Sequence, residues 1–312
     1  MFVTEHMRMD PAYRERLRAC GLDSVAGVLA RVEGRVAAWS RTTDTLRVPG
    51  PDEGPGFYVK RYLFPTWTKR LRGTFRGTFF GQHRGRVEYR ALNALRAAGV
   101  PAVRAVAWGE RRVAHFLTAC FLITEEVPDA ENLTSFALEV VGGRRRVSND
   151  QRHRLLLALA EHLALLHATG CSHGNLFWRN ILVRDAPDGR PELFFLDPQP
   201  LRAWERLAAG VPWWLRELAQ VAVSALPFTT RTERLRFIRR YVACSRDSGF
   251  DPPGVERVAD DWKSAVRTVE ALAAAWRRHE DRRIHMTRLF DEWNRQLVRE
   301  MGRATPGAEP AS

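Results

Sequence analysis

The chain has 312 residues, 45% of them apolar, and its 49 basic against 36 acidic residues give a formal charge of +13. This length allows one large domain or two smaller ones with real hydrophobic cores. The sequence has no run of eighteen apolar residues, and its first twenty residues carry acids and arginines where a signal peptide needs an apolar stretch. These features exclude a membrane-spanning helix and argue for a cytoplasmic protein.

The cysteines and the basic residues indicate the cellular compartment and the kind of binding partner. Four cysteines stand far apart without a CxxC pair, which argues against a zinc site or a disulfide framework and fits a reducing cytoplasm. The positive charge favours nucleic acid, anionic membrane or phosphorylated partners, or reflects a genome that uses arginine freely. Only three of the basic residues are lysines, so Lys60, in the middle of a predicted strand, suggests a specific need for a compact charge.

The first part of the chain, up to residue 126, predicts a domain of short strands with one helix. Residues 56–63 alternate as a strand and follow a turn rich in proline and glycine. Residues 87–98 have an apolar stripe at helical spacing, and a glycine and a proline end it. Residues 116–127 predict a buried strand that runs into a polar connection.

The second part, residues 127–303, predicts a mainly helical domain. Ser148 and Gln151 have the spacing of a capping box before a leucine-rich helix that ends at Gly170. Two short strands follow at 181–183 and 192–196. Further helices are predicted at 213–225, at 231–244 and, with at least one break, at 255–301. Residues 304–312 have the composition of a disordered tail.

Two polar residues flank the pair of short strands. If these strands form an antiparallel hairpin, the start of the first lies beside the end of the second. Asn180 stands at that start and Asp197 at that end. An amide oxygen and a carboxylate in one place suit Mg²⁺, which takes few protein oxygens and completes its octahedron with water and phosphates. Polar residues are also common in turns at the ends of strands, and this explains the two residues equally well.

A lysine and a glutamate of the first part form a second predicted pair. Glu88 lies in line with Leu92 and Leu95 on the apolar stripe of the predicted helix, and burial of an unpaired carboxylate is costly. Lys60 has the same problem in its strand. Pairing the two residues solves both problems and aims the ammonium group at a phosphate. A simple core salt bridge, or a Glu88 at the solvated margin, is the alternative.

These residues occur in the order of the kinase signature motifs. The segments VKRY, ITEE, HGNLFWRN and FFLDPQP follow one another, with Glu88 between the first two. The wider sequence resembles the lipopolysaccharide core kinase family (the Kdo and heptose kinases) over about residues 25–245. The resemblance implies an α+β, two-lobed protein-kinase-like fold, with a small β-rich N-terminal lobe and a mainly helical C-terminal lobe. It also implies an ATP-dependent phosphotransferase that acts on a sugar hydroxyl of a lipopolysaccharide-like acceptor.

The resemblance implies a role for each matching residue. Lys60 would hold the α- and β-phosphates of ATP, with Glu88 fixing it, while Asn180 and Asp197 would bind Mg²⁺. The connection between the lobes would begin at Glu125 and Glu126, where backbone groups would receive adenine. His173 would be the structural histidine of the catalytic loop.

The sequence departs from the kinase pattern in three places. No GxGxxG loop precedes Lys60, and Asp197 is followed by Pro-Gln instead of Phe-Gly. Asn175 stands where the pattern has the catalytic aspartate, and an amide cannot accept the proton of the substrate hydroxyl. Phosphoryl transfer relies mostly on positioning and charge stabilisation, so activity can survive this change. A nucleotide-binding pseudokinase is equally compatible with Asn175.

A basic segment between residues 61 and 87 has no acidic residue. Its basic residues alternate with aromatic ones: Arg61, Lys69, Arg70, Arg72, Arg76, Arg84 and Arg86 with Trp67, Phe75, Phe79 and Phe80. Such a segment can dock an anionic glycolipid or phosphosugar, contact the inner membrane face, bind nucleic acid, or form a solvated loop. We favour the anionic acceptor. The last alternative is that the chain is a basic nucleic-acid-binding protein, although no DNA- or RNA-binding motif supports this function.

Overall fold

The computed structural model describes residues 2–39, 43–66, 68, 70, 79, 81–186, 189–200, 211–247 and 262–303. The chain forms two compact units. The first comprises residues 1–130, 169–174 and 194–201, and the second comprises 131–168, 175–193 and 202–312. The first unit thus contains two short segments from later in the sequence, whereas the predicted domains were contiguous. The predicted tail at 304–312 lies outside the described residues.

The first unit is built on a six-stranded antiparallel sheet with the order β1-β5-β6-β4-β3-β2. Its strands are β1 Val3–Met9, β2 Arg35–Trp39, β3 Thr43–Val48, β4 Phe57–Leu63, β5 Ala105–Val113 and β6 Phe116–Glu125. The two strands predicted here, 56–63 and 116–127, are β4 and β6 with slightly shorter bounds. Strand β4 lies between β3 and β6, so its residues are supported on both sides.

Two short helices, α1 Arg14–Ala19 and α2 Val25–Ala30, cover one face of this sheet. The prediction of a single helix in this region was therefore wrong. Each helix has only six residues, too few for a helical repeat to be recognised in the sequence. Their apolar residues pack with residues of β3 to β6 in one core, whose members include Leu17, Val28 and Phe57.

Arg61 belongs to the fold and not to a docking surface. Its guanidinium group binds both carboxylate oxygens of Asp44, at 2.8 and 2.9 Å, and donates to the carbonyl oxygen of Arg31 at 2.6 Å, just after α2. The side chain is buried. The assignment of Arg61 to the basic segment as a partner-binding residue was wrong, because its charge is used to join α2 to the sheet.

Helix α3, Arg84–Ala97, packs against β5 and β6. It begins three residues earlier than predicted because the Nδ1 atom of His83 accepts a hydrogen bond from the backbone N–H of Arg86 and so caps the helix. Its buried positions include Glu88, Leu92 and Leu95, as the apolar stripe predicted.

The second unit is mainly helical, as predicted. Its helices are α4 Leu133–Val141, α5 Asn149–Ala168, α6 Trp213–Ala225, α7 Arg231–Asp247 and α8 Trp262–Arg303. A small sheet has the order β7-β8-β9, with β7 Glu131–Asn132, β8 Ile181–Asp185 and β9 Pro191–Phe195. Among the described residues, no helix is long and apolar enough to cross a membrane.

The sequence made predictions about the start of α5 and about the continuity of α8. The capping box is confirmed, since Ser148 and Gln151 exchange hydrogen bonds of 2.8 and 3.1 Å between side chain and backbone. The predicted break in the last helix is wrong within the described residues, because α8 is one continuous helix of 42 residues.

Candidate functional site

The ammonium group of Lys60 is held between two carboxylates of the first unit. Its Nζ atom lies 3.1 Å from both carboxylate oxygens of Glu88 and 2.5 Å from Oδ1 of Asp197. Burial by itself lowers the pKa of Lys60, but the two carboxylates outweigh burial and raise that pKa well above its usual range. The side chain keeps about 20% of its surface exposed. The ammonium group is therefore charged and held in place, and part of the Lys60 side chain is accessible to solvent.

Glu88 is held by a third residue that sequence reasoning missed. The hydroxyl group of Tyr62 donates to Oε2 of Glu88 at 2.7 Å, and both side chains are buried. Burial raises the pKa of Glu88, and Lys60 and the tyrosine hydroxyl oppose this effect by stabilising the carboxylate. The signal was available, because Tyr62 stands two residues after Lys60 in a strand and so shares its face.

Asp197 reaches Lys60 from a segment anchored to the same unit. Its backbone has a φ of 55°, in the left-handed region that aspartate tolerates better than most residues. Two residues earlier, Phe195 exchanges backbone hydrogen bonds of 3.0 Å with Pro101 and Val103. The position of the carboxylate is thus set by the segment that follows α3.

The loop at His173 and Gly174 is tied to the residues that follow Asp197. The backbone N–H of Gln199 donates to the carbonyl oxygen of His173 at 2.6 Å. The His173 ring is fully buried and meets the Phe195 ring edge to face, with centroids 5.7 Å apart. The His173 ring therefore packs within the first unit, and its role in a catalytic loop stays a prediction.

Asn180 and Asn175 lie together in the second unit. The Nδ2 atom of Asn180 donates to the backbone carbonyl oxygen of Asn175 at 2.8 Å, and the backbone N–H of Phe177 donates to the same oxygen at 3.0 Å. The Asn180 side chain is buried. Because its nitrogen is engaged, its amide oxygen is the atom left to act as a ligand.

The loop that carries Asn180 is attached to the last helix through a buried carboxylate. Arg179 contacts Oε2 of Glu280 in α8 at 2.5 Å, and the hydroxyl group of Ser224 in α6 donates to Oε1 at 2.8 Å. Glu280 has only 1% of its surface exposed. This ion pair was not predicted, because more than a hundred positions of sequence separate its partners.

Glu125 and Glu126 use their side chains within the first unit. Glu125 accepts from the Tyr13 hydroxyl at 2.6 Å and pairs with Arg16 at 2.7 Å. Glu126 accepts hydrogen bonds from Nε and Nη2 of Arg47, at 2.6 and 2.9 Å. Their carboxylates thus fix the end of β6 within the first unit.

Part of the predicted basic segment can be placed. The Arg84 guanidinium lies 5.7 Å from the Tyr62 ring centroid, and that of Arg86 lies 5.2 Å from the Trp108 ring centroid. Arg70 donates to the carbonyl oxygen of Phe64 at 2.9 Å. The remaining members of that segment, apart from Phe79, lie outside the described residues: Trp67, Lys69, Arg72, Phe75, Arg76 and Phe80.

We expect the cap of α3 to make the protein sensitive to mild acid. Burial lowers the pKa of His83 to about 4. Because the unfolded chain binds this proton with a pKa near 6.5, the free energy of unfolding falls as the pH drops from about 6.5 to 4, by about 3 kcal/mol. The measurement is urea unfolding at pH 7.5, 5.5 and 4.5.

The matched control is His83→Asn, which keeps a capping acceptor but does not titrate. This variant should lose less stability than the wild-type chain over the same pH range. Equal losses in the two proteins would show that His83 does not cause the acid sensitivity.

The sheet with its Lys60–Glu88 pair and the mainly helical second unit define a protein-kinase-like fold. A comparison with family models matches residues 26–241 to the lipopolysaccharide kinase (Kdo/WaaP) family. The chain belongs to this family and is a kinase, which confirms the resemblance seen in the sequence.

Two relatives illustrate the match. Lipopolysaccharide core heptose(I) kinase WaaP from Pseudomonas aeruginosa is 29% identical over 194 residues, which cover 61% of this chain and 70% of the relative. A solved structure of WaaP in complex with acyl carrier protein has a TM-score of 0.58 and 22% identity, and covers 86% of this chain and 98% of the other. The second match shows the shared fold.

Proposed function

We propose that this protein transfers the γ-phosphate of ATP to a hydroxyl group of a sugar in a lipopolysaccharide core. The observation that carries the proposal is the Lys60 ammonium group held 3.1 Å from Glu88 and 2.5 Å from Asp197. The family match supports the acceptor class. It does not favour a regulatory pseudokinase or a nucleic-acid-binding protein.

The residues present fit ATP and Mg²⁺. Lys60, with its partly exposed side chain and fixed charge, would bind the α- and β-phosphates, while Glu88 and Tyr62 hold it in place. Asp197 would be one ligand of the metal, and the family resemblance implies Asn180 as another, since a carboxylate and an amide oxygen are ligands that a hard cation accepts. When bound, Mg²⁺ neutralises the charge that develops on the phosphates.

Adenine would be received by carbonyl oxygens at the end of β6 or by residues that follow. The backbone N–H groups of Glu125 and Glu126 donate within the first unit, to the carbonyl oxygens of Arg104 and Gly56, both at 2.8 Å. Their own carbonyl groups are the backbone atoms through which these two residues would contribute.

Asn175 would position the acceptor hydroxyl group rather than take its proton. An amide has no basic oxygen at neutral pH, but phosphoryl transfer gains most of its rate from alignment and charge stabilisation. The backbone of Asn175 is already fixed by the two hydrogen bonds that its carbonyl oxygen accepts. The acceptor would be an anionic glycolipid or phosphosugar at the cytoplasmic face of the inner membrane, with the enzyme attached peripherally.

The first test is nucleotide binding. At a hundredfold excess over its dissociation constant, Mg²⁺-ATP should stabilise the protein by about 2.7 kcal/mol, which raises Tm by roughly 5–10 °C. Asp197→Asn should lose most of the magnesium-dependent part of this shift, and its transfer of labelled phosphate to a dephosphorylated lipopolysaccharide core should fall with it.

The matched control is Asp23→Asn, which changes a partly exposed aspartate of the first unit that pairs with Arg18. It should behave as the wild-type chain does. A Tm indifferent to nucleotide and metal in the wild-type protein would end the proposal.

A further inference from the structure

The C-terminal half of α8 carries an exposed apolar stripe along one side. Its members are Met286, Leu289, Trp293 and Leu297, which follow one another at intervals of three or four residues and so line one face of the helix. They are 59%, 45%, 51% and 37% exposed, respectively. Four large apolar side chains that share one exposed face, rather than being scattered singly, are a candidate contact with another body. We call these four residues the α8 stripe.

The opposite side of α8 is occupied by the second unit itself. Glu280 binds Arg179 and Ser224, and Arg295 pairs with Glu139 of α4 at 2.9 Å. At about 100° per residue, these contacts point roughly 130–170° away from the centre of the stripe. The exposure of the stripe thus follows from the way the helix is fixed to its own unit.

Positive charge accompanies the stripe. Arg278, Arg282 and Arg283 point within about 80° of the centre of the stripe at 100° per residue, and all three are exposed. Within the described part of the chain none of the three forms an ion pair. The whole chain carries a formal charge of +13. An apolar face that contains tryptophan and is accompanied by arginines is the pattern of a helix that lies in a membrane interface, where anionic lipid attracts the cations.

The dimensions of the stripe do not suit a protein partner. Residues 286–297 span about 17 Å at 1.5 Å per residue, and a stripe one side chain wide is about 10 Å across. The resulting area of about 170 Å² is far below the roughly 800 Å² per partner that a stable protein interface buries. A flat lipid surface needs no such area, because insertion of a few apolar side chains and attraction of a few charges add up.

We propose that the α8 stripe, together with Arg278, Arg282 and Arg283, forms a face that docks the protein on anionic phospholipid, with the helix axis parallel to the bilayer. This surface goes beyond the proposed phosphate transfer and does not depend on it. It adds a physical means by which the chain is held beside a lipid-borne acceptor.

The test is sedimentation of the full chain with vesicles in the absence of ATP and acceptor. Wild-type protein should bind phosphatidylcholine vesicles in which about one lipid in four is phosphatidylglycerol, and bind pure phosphatidylcholine much more weakly. The double variant Leu289→Ser/Trp293→Ser should bind the anionic vesicles at least tenfold more weakly, because two large apolar side chains no longer enter the bilayer. The control Val32→Ser/Val141→Ser changes two apolar residues that are 86% and 65% exposed elsewhere, and it should bind as the wild type does.

Substitution of the arginines provides a second, independent test of vesicle binding. Arg282→Gln and Arg283→Gln should each weaken binding to the anionic vesicles about fivefold, and the difference should shrink in high salt. No binding by the wild-type chain, or equal binding by the stripe variant, would overturn the proposal. So would a dimer in sedimentation velocity that the stripe variant abolishes, since the stripe would then serve a second copy. Each of these results leaves ATP binding at Lys60 and Asp197 unaffected, so the two proposals fail separately.

Discussion

Replacing Lys60 with methionine is expected to lower kcat/KM for ATP by roughly 100- to 1,000-fold. Methionine has a similar length but no charge, so nothing would replace the ammonium group that we propose binds the phosphates. The change also leaves Glu88 and Asp197 without the cation they share. Burial already raises the pKa of Glu88, and without Lys60 its ionised form becomes more costly still. Steady-state phosphate transfer and the nucleotide-dependent Tm shift measure the effect.

A second variant separates lost chemistry from lost stability. Loss of one partner of a buried pair costs about 3–5 kcal/mol when the other charge stays behind. The double variant Lys60→Met/Glu88→Gln removes that stranded carboxylate and should recover much of the Tm, while transfer stays low. Recovery of activity together with Tm would mean that Lys60 only stabilises the fold.

Gly174→Ala is expected to destabilise the first unit severely. Gly174 has a φ of +74°, and a β-carbon added there would lie 1.9 Å from the carbonyl oxygen of Gln199. That oxygen cannot easily retreat, because the N–H of Gln199 is bound to the carbonyl oxygen of His173 at 2.6 Å. Strain of the backbone and the steric clash together should cost more than about 3 kcal/mol, measured by urea unfolding.

Gly170→Ala provides the comparison within the same stretch. Gly170 has a φ of +68°, and its added β-carbon would meet nothing within 4 Å. This variant should lose only about 1–2 kcal/mol, the cost of the left-handed backbone alone. If Gly174→Ala does not fold well enough for unfolding curves, its soluble yield and resistance to protease relative to Gly170→Ala carry the test. Similar behaviour of the two variants would contradict the predicted clash.

Local patterns predicted much of the fold. The alternation of β4, the apolar stripe of α3 and the reciprocal bonds of Ser148 and Gln151 all depend on neighbours within a few positions. The pairing of Lys60 with Glu88 followed from a different argument, since two buried charges on separate elements need each other. These features need no knowledge of the rest of the chain.

What the sequence could not predict depends on distant residues. The sequence placed Arg61 in a basic segment. In the structure, its guanidinium group pairs with Asp44 and donates to the carbonyl oxygen of Arg31, just after α2. Helices α1 and α2 are too short for a periodic pattern and owe their stability to the core they cover. Roles in catalysis for Asn175 and Asn180 came from the family resemblance and stay predictions.

The buried carboxylate of Glu280 has a consequence for any shortened form of the protein. It lies more than a hundred positions after Arg179 and yet supplies the counter-charge for the loop that bears Asn180. A chain cut ahead of position 280 would leave the Arg179 guanidinium group without this carboxylate, although every signature motif would still be present. The smallest stable form of the kinase therefore extends beyond its signature motifs. It includes the part of α8 that bears Glu280, because this residue helps to hold the loop of Arg179 and Asn180.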